Sequence, residues 1–242
     1  MKDLKKRLAR AVVQFWRTRK QQAKKQQATG RRDQGARSAA TGGAQMDGVI
    51  ELLTDVLVGA GIKPDCIFYK KALELPGYFR PTKKWDLLVV QDEQLIAAVE
   101  AKSHIGPSFG NNFNNRTEEA MGSALDLWTA YREGAFNKTV RPWLGYFLML
   151  EDCDKSRAPV TVAEPHFEVF PEFKEASYCE RYEWFCRKLV RERHYDAAAF
   201  VASKKNARVQ DAYCEPADDL TFELFAKSIA AHAQAYGAST NT

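Results

Sequence analysis

Residues 85–106, WDLLVVQDEQLIAAVEAKSHIG, constrain the fold more than any other part of this sequence. Two apolar runs flank the polar segment 91–94, a pattern that predicts two strands joined by a tight turn. Three charged residues, Asp86, Glu100 and Lys102, nevertheless lie in or beside those strands, where a packed sheet rarely carries charge. They therefore need a chemical or a structural explanation.

Alternation along the second strand predicts where its side chains point. One face would hold Ile96, Ala98, Glu100 and Lys102, and the other, wholly apolar face would hold Leu95, Ala97, Val99 and Ala101. If the two strands pair as a hairpin, Asp86 falls opposite position 99 or 100. We therefore expect two carboxylates and an ammonium group at one edge of the sheet.

Two close carboxylates repel each other unless a cation lies between them. Mg²⁺ suits such a pair because it binds one or two carboxylates, keeps several waters and takes substrate phosphate. The ammonium of Lys102 would orient a water and stabilise negative charge. This chemistry is metal-assisted hydrolysis of a phosphodiester. The alternative is a structural ion pair, although burying one adds little net stability.

The tripeptide acid-x-Lys is weak evidence by itself, because it occurs three times, at Asp3, Glu100 and Glu172. Among these, Glu100 alone ends an apolar strand that an acid-bearing strand precedes.

The charge of the chain is unevenly distributed. Residues 1–37 hold 13 Lys and Arg against two acids, a net of +11, whereas the remainder holds 23 bases and 29 acids, a net of −6. Residues 3–28 have apolar positions at helical spacing, and 29–43 are rich in Gly, Ser and Arg. We predict a basic helical arm and linker over 1–43, which would either meet a polyanion, pack on another subunit or remain solvated, and a globular domain over 44–242.

The globular part alternates between helical and strand patterns. Helices are predicted over 44–58, 118–133 (capped by Thr117), 175–193 and 220–236, strands over 66–70, 143–151 and 197–203, and a loop over 106–117. This order predicts an α/β fold in which helices flank a mixed β-sheet in three layers.

The five scattered cysteines include no CxxC pair, so neither a zinc site nor a disulfide framework is predicted, and a reducing cytoplasm fits best. The N-terminus has no apolar signal-peptide core, and no apolar stretch is long enough for a membrane span.

Asp86, followed by a strand that ends in Glu100-Ala101-Lys102, resembles the PD-(D/E)xK nuclease superfamily, with Trp85 in place of the usual proline. Pro64-Asp65 matches the motif literally but lies too far from Glu100 for one hairpin. A wider stretch resembles the Type II restriction endonucleases of the XhoI family. It consists of VEAKSHIGPSFGNNFNNRTEEAMGSALDLWTAYREGAF, with KKWDLLVV before it and RPWLGYFLML after it.

This resemblance implies a restriction-endonuclease-like core in a homodimeric enzyme that uses Mg²⁺ to cut double-stranded DNA. The implied target is the palindrome CTCGAG, cut after the first C to leave 5′ overhangs, with a companion methyltransferase protecting host DNA. Asp86 and Glu100 would bind the metal, and Lys102 would position the attacking water. Glu51, on the helix before the sheet, is a further candidate ligand, or else an ordinary solvent-facing helix residue.

Candidate DNA-contacting residues cluster around this centre. Asn pairs with adenine edges and Arg with guanine edges, so we expect a DNA-reading loop at Asn111, Asn112, Asn114, Asn115 and Arg116, unless these asparagines only stabilise a turn. Ser103, His104, Lys83 and Lys84 are candidates for phosphate contacts. Alternatively, His104 is a structural hydrogen-bonding residue and the lysines are simply solvated.

Two other functions fit the same residues. One is a repair or junction-resolving nuclease of the same superfamily, and the other is a DNA-binding protein without catalysis. A DNA methyltransferase is excluded because no long Gly-rich cofactor loop is present.

Overall fold

The computed structural model describes residues 3–28, 45–137 and 141–239. The α-helices are α1 (Leu4–Ala28), α2 (Asp47–Gly59), α3 (Phe109–Arg132), α4 (Asp154–Arg157), α5 (Tyr178–Arg191) and α6 (Phe222–Ser239). The strands are β1 (Ile67–Phe68), β2 (Glu74–Pro76), β3 (Thr82–Lys84), β4 (Leu87–Gln91), β5 (Gln94–His104), β6 (Trp143–Glu151) and β7 (Ala197–Ser203). Short 3₁₀ turns lie at Pro64–Cys66, Pro171–Phe173, Val209–Asp211 and Asp218–Leu220. The predicted linker over 29–43 lies outside the described residues.

The main sheet has five strands in the order β1-β4-β5-β6-β7. β4 is antiparallel to β1 and β5, whereas β5, β6 and β7 run parallel. β2 and β3 form a separate antiparallel hairpin. Every residue of β6 is buried, as the apolar run from Trp143 to Leu150 indicates for an interior strand. The prediction of a mixed sheet flanked by helices is confirmed.

The two faces of the sheet form two cores. One core packs α1, α2 and α6 against Leu87, Val89, Val99 and Phe147, and the other packs α3 and α5 against Leu88, Ala98, Tyr146 and Leu148. The result is the three-layered arrangement that the alternation of elements predicted.

Helix α1 is part of the first core. Its apolar stripe, Leu4, Leu8, Val12, Phe15 and Trp16, is buried, and the indole Nε1 of Trp16 donates a hydrogen bond to the Ser203 hydroxyl over 2.8 Å. The helical spacing predicted this amphipathic face. The basic residues of α1 are therefore fixed on the body of the protein rather than carried on a tether.

The hairpin of β4 and β5 turns at Asp92 and Glu93, which adopt φ angles of 50° and 58°. Such a left-handed pair makes the two-residue turn that matches the twist of the flanking strands. The register differs from simple alternation, because Val89 pairs with Ala97 but Val90 pairs with Leu95. Ile96 is thus an extra, bulged residue.

This bulge corrects the predicted faces of β5. Ile96 belongs to the core that contains Ala97 and Val99, and Leu95 belongs to the opposite core with Ala98. A bulge shifts alternation by one residue, so the predicted faces hold only from Ala97 onwards.

The predicted loop over 106–117 is wrong, because α3 already begins at Phe109, after Ser108. Phe109 and Phe113 lie one helical turn apart and are buried against the rings of Tyr178 and Tyr182. This packing outweighs the preference of asparagine for turns. Thr117 is not a cap, because its hydroxyl donates to the carbonyl of Asn114 inside the helix.

His104, at the end of β5, is buried between α3 and α5. Its Nδ1 lies 2.6 Å from the Tyr182 hydroxyl, and its ring contacts Phe109. Burial, and then the charge of Arg116, lower the pKa of His104 to about 4. The folded protein therefore keeps this imidazole neutral, whereas the unfolded chain protonates it below its ordinary pKa of 6.5.

Replacing His104 with Phe should make the free energy of unfolding depend less on pH below pH 6.5. A depressed folded pKa leaves stability intact above pH 6.5 and removes it progressively as pH falls toward 4. Between pH 7.5 and pH 5 the wild type should lose about 2 kcal/mol through this residue, at about 1.4 kcal/mol per pKa unit. Urea unfolding at both pH values measures the loss.

The His104→Phe variant should lose about 2 kcal/mol less than the wild type over the same interval. The same replacement at His166, which is exposed, is the matched control and should leave the wild-type loss unchanged. An identical pH dependence in His104→Phe and the wild type would contradict the burial of a neutral imidazole.

Candidate active site

The hairpin brings Asp86 beside the end of β5. The backbone N–H of Asp86 donates to the carbonyl of Val99 over 3.1 Å, which places this residue next to Glu100, as the sequence predicted. Its Oδ2 accepts the backbone N–H of Ala101 over 2.8 Å. Because Asp86 is tied to β5 through both its backbone and its side chain, its carboxylate has a fixed place at this edge.

Glu100 is the centre of the charged group. Its side chain is only 3% exposed, and its Oε1 lies 2.8 Å from Nζ of Lys102 and 3.1 Å from Nζ of Lys83. Nζ of Lys102 also lies 3.9 Å from Oδ2 of Asp86. One nitrogen thus lies within 4 Å of both carboxylates, so the predicted convergence of Asp86, Glu100 and Lys102 is present.

Lys83 joins this group from β3. Its ammonium lies 4.3 Å from the centre of the Trp85 ring, a favourable position for a cation over an aromatic face. Tyr195 approaches from the other side, with its hydroxyl 3.5 Å from Oε2 of Glu100 and hydrogen-bonded to the carbonyl of Ala120 over 3.0 Å. Glu100 is therefore held by side chains from three parts of the chain.

The electrostatics separate the two carboxylates. Burial opposes the charge of Glu100, but Lys102 and then Lys83 outweigh it and hold the pKa of Glu100 below its usual range. Burial likewise opposes the charge of Lys102, and Glu100 and Asp86 reverse it, so the pKa of Lys102 is raised. Glu100 and Lys102 therefore form an ionised pair at neutral pH.

Burial prevails at the other two groups. It raises the pKa of Asp86 despite the nearby ammonium of Lys102, and it lowers the pKa of Lys83 despite the attraction of Glu100. The surroundings therefore stabilise the charged form of Asp86 less than the charged form of Glu100. A bound cation would stabilise its charged form.

These groups line a cavity of about 790 Å³. Its lining also includes Gln45 and Met46 before α2, Arg80, Thr82 and Lys84 around β3, Ser103 on β5, and Asn112, Asn115, Arg116, Glu119 and Ser123 on α3. Carboxylates at the base of a cleft with basic and amide groups around them suit a bound phosphodiester chain.

Helical geometry divides the predicted DNA-reading residues into two sets. Asn112, Asn115 and Arg116 are three and four positions apart, share one face of α3 and line the cavity. Asn111 and Asn114 are exposed and are not part of that lining. The structure therefore brings only the first set to the carboxylates.

The remaining predicted residues are also divided. Ser103 and Lys84 line the cavity, whereas His104 is buried in the aromatic cluster behind it. Glu51 is exposed on α2 and does not line the cavity. Asp65, the alternative motif acid, is also exposed outside the cavity.

Three residues at the site, Arg80, Tyr195 and Gln45, were not predicted from the sequence. Arg80 reaches the cavity because Asp126, on α3, pairs with its Nε over 2.7 Å. The helical spacing around Asp126 could have indicated a buried acid that needs a cationic partner, since it places Asp126 on the same buried face as Ser123 and Ala130. Tyr195 and Gln45 come from distant segments, and no local pattern marks them.

The residues fit a hard divalent cation that takes only part of its ligands from protein. Among residues 3–28, 45–137 and 141–239, no group of three or more His, Cys, Asp or Glu is arranged to hold a metal. The two carboxylates open to a cavity fit Mg²⁺, which completes its shell with waters and substrate phosphate, better than an all-protein zinc site.

Comparison with known proteins identifies the family. The family model of the restriction endonuclease XhoI matches residues 25–215. The chain is 54% identical over 211 residues to the Type II restriction enzyme BstVI of Geobacillus stearothermophilus, covering 85% of this chain and 94% of that enzyme.

Two further relatives agree. The Type II restriction enzyme XhoI of Xanthomonas vasicola is 50% identical over 188 residues, which cover 76% of this chain and 75% of that enzyme. The Type II restriction enzyme AbrI of Azospirillum brasilense is 49% identical over 166 residues, covering 68% of this chain and 74% of that enzyme. No solved structure matches the chain.

These matches favour a Type II restriction endonuclease over a repair or junction-resolving nuclease and over a non-catalytic DNA-binding protein, because all three relatives are Type II restriction enzymes. No helix within the described parts of the chain is long and apolar enough to span a membrane. The chain belongs to the XhoI family of Type II restriction endonucleases.

Proposed function

We propose that the cavity around Asp86, Glu100 and Lys102 is the DNA-cleaving centre and that it uses Mg²⁺. The observation that carries this proposal is the position of both carboxylates within 4 Å of the Lys102 nitrogen, at the base of a cavity of about 790 Å³. With a metal bound, a cleft lined by lysines, arginines and amides would accept a polyanion and would hold a phosphodiester near the two carboxylates. Enzyme and metal would together perform the hydrolysis expected of the family.

Each residue has a distinct role in this proposal. Asp86 and Glu100 would hold the metal. When bound, Mg²⁺ would act as a Lewis acid that neutralises phosphate charge. Lys102, ionised and fixed by Glu100, would orient the attacking water in line with the phosphorus. Glu51 remains a predicted third ligand, one that would require α2 to present it differently.

Lys83 has a different proposed role from simple phosphate binding. Its ammonium contacts Glu100 directly and packs over Trp85, so it would fix the orientation of that carboxylate and balance its charge. Lys84, which is exposed and lines the cavity, would contact the DNA backbone. Ser103 would do the same, whereas His104 would act only through packing.

We infer that the target is the palindrome CTCGAG, cut after the first C to leave 5′ TCGA overhangs with 5′-phosphates. The inference rests on the family and on the polar face of α3, from which Asn112, Asn115 and Arg116 would reach base edges.

A palindrome matches a two-fold symmetric protein, so we propose a homodimer. A companion methyltransferase would protect host DNA, and the compartment would be the cytoplasm.

The exposed basic side of α1 would add affinity that is independent of sequence. α1 is packed into the first core, and the side chain of its Arg19 donates to Gln45, which lines the cavity. Contacts between its remaining lysines and arginines and flanking phosphates would be salt-sensitive, since each contact releases counterions.

Replacing Asp86 with Asn, or Lys102 with Ala, should lower the cleavage rate at least ~100-fold while duplex binding stays within a few-fold of the wild type. Each change removes an electrostatic group from the reacting centre but leaves the rest of the cleft intact. Cleavage of phage DNA in Mg²⁺, sequencing of the ends, and a separate gel-shift binding assay measure both effects.

Matched controls exist elsewhere in the chain. Asp65→Asn alters the literal Pro-Asp motif, and Lys174→Ala alters another acid-x-Lys motif; both residues are exposed. Both variants should cut at the wild-type rate. If Asp65→Asn abolished cleavage and Asp86→Asn did not, the proposed centre would be wrong. Ends without TCGA overhangs would contradict the target alone.

A second prediction concerns base reading by α3. Asn115→Ala should lower kcat/KM on the target about 10- to 100-fold, because a bidentate base contact discriminates by roughly 1–3 kcal/mol. Asn114→Ala is the matched control, since both residues are exposed on the same turn but only Asn115 lines the cavity. The control should remain within about twofold of the wild type. Equal effects of the two changes would contradict the assignment of this helix face.

A further inference from the structure

The turn between β2 and β3, residues 77–81, holds two large aromatic side chains in solvent. Tyr78 and Phe79 are 56% and 67% exposed, and their rings meet edge to face at 5.3 Å. Neighbouring exposed rings on a short turn form a small apolar patch, which is a candidate contact surface. The surroundings of the turn indicate which partner.

Asp126 fixes this turn from α3. Its Oδ1 accepts the backbone N–H groups of Tyr78 and Phe79 over 2.7 and 2.8 Å, and its Oδ2 accepts Nε of Arg80 over 2.7 Å. Burial opposes the charge of Asp126, but the N–H of Phe79 and the guanidinium of Arg80 outweigh it and lower its pKa. A single buried carboxylate thus holds three consecutive residues.

Gly77 shows how closely the turn and the carboxylate fit. A Cβ at this position would collide with Oδ2 of Asp126 and lie 2.7 Å from the carbonyl oxygen of Arg80. No larger residue is accommodated without displacing the turn. The close approach of backbone and carboxylate keeps Tyr78, Phe79 and Arg80 in one arrangement.

The turn adjoins the candidate active site. Arg80 lines the cavity, and its Nη2 lies 3.3 Å from the hydroxyl of Ser123, which also lines it. A shallow groove of about 240 Å³ contains Phe79 and Asp126 and shares Arg80, Glu119 and Ser123 with the cavity. One continuous surface therefore runs from Glu100 past Arg80 to Phe79.

We propose that Asp126 is a positioning residue for DNA, because it fixes the turn so that Arg80 meets a backbone phosphate and Phe79 packs on the sugar and base edges of the same duplex. This inference rests on the proposed use of the cavity as the DNA cleft. A guanidinium beside an apolar ring matches the two surfaces of a duplex, charged phosphates and apolar sugar and base edges. The continuity of the surface with the cleft favours DNA over a protein partner.

Two exposed positions, Phe79 and Arg80, test the two contacts separately. Phe79→Ala should raise KM about tenfold and leave kcat within about twofold, since a ring packed on bases contributes to binding rather than to chemistry. The slope of log(kcat/KM) against log salt is negative, and Arg80→Gln should reduce its magnitude by about one, as expected when one phosphate contact is lost. Steady-state cleavage of a duplex over a series of salt concentrations measures both.

The chain offers a matched control for the aromatic change. Phe167 is 87% exposed and lies outside the cavity lining, so Phe167→Ala should leave KM and the salt slope unchanged. If Phe79→Ala and Phe167→Ala behaved alike, the proposed DNA contact would be excluded.

Asp126→Asn tests the positioning role itself. This variant should show both effects, a higher KM and a lower salt slope, with kcat at saturation retained. The double variant Asp126→Asn with Phe79→Ala should be no worse than Asp126→Asn alone, because both changes remove the same contact. Losses that multiply, or a fall in kcat with unchanged KM, would overturn the proposal.

The outcome also separates this inference from the proposed active site. If Asp86→Asn still cuts DNA, the assignment of the cavity fails. If Asp86→Asn stops cleavage while Phe79→Ala and Arg80→Gln match the wild type, only the role of the turn fails.

Discussion

The buried carboxylate of Glu100 is the group on which the arrangement of the site depends. Removing a carboxylate from water costs several kcal/mol unless charges and hydrogen bonds replace the lost hydration. Two ammonium groups, Lys102 from the same strand and Lys83 from β3, do so here. The small β2–β3 hairpin is therefore required at this position, because without Lys83 the carboxylate would keep only one of its two cationic partners.

The sequence predicted the parts of the site that depend on local geometry. A two-residue turn and strand alternation suffice to bring Asp86 beside Glu100 and Lys102, and the structure agrees to within a residue. Alternation failed at Ile96 because a bulge adds one residue there, and no residue type in that apolar run marks it. The error left the site intact, since the bulge lies on the turn side of Ala97.

The rest of the site depends on contacts between distant segments, which the sequence does not encode locally. The sequence around Lys83 is typical of a solvated lysine, yet its side chain is only 10% exposed because the Trp85 ring and Glu100 surround it. The four asparagines between positions 111 and 115 are typical of a turn, yet the buried side chains of Phe109 and Phe113 extend the helix through them. In both cases tertiary packing outweighed the local preference of the residues.

The early start of α3 has a functional consequence. Only four residues separate the last residue of β5 from the first of α3, so the strand with Glu100 and Lys102 and the helix face with Asn112, Asn115 and Arg116 are closely tied. Further along, the same helix holds the 77–81 turn through Asp126. Two walls of the cavity therefore depend on one rigid helix. If α3 reads bases as proposed, a mismatched sequence that shifted α3 would shift the turn as well, and this coupling would suit an enzyme that cuts only at its target.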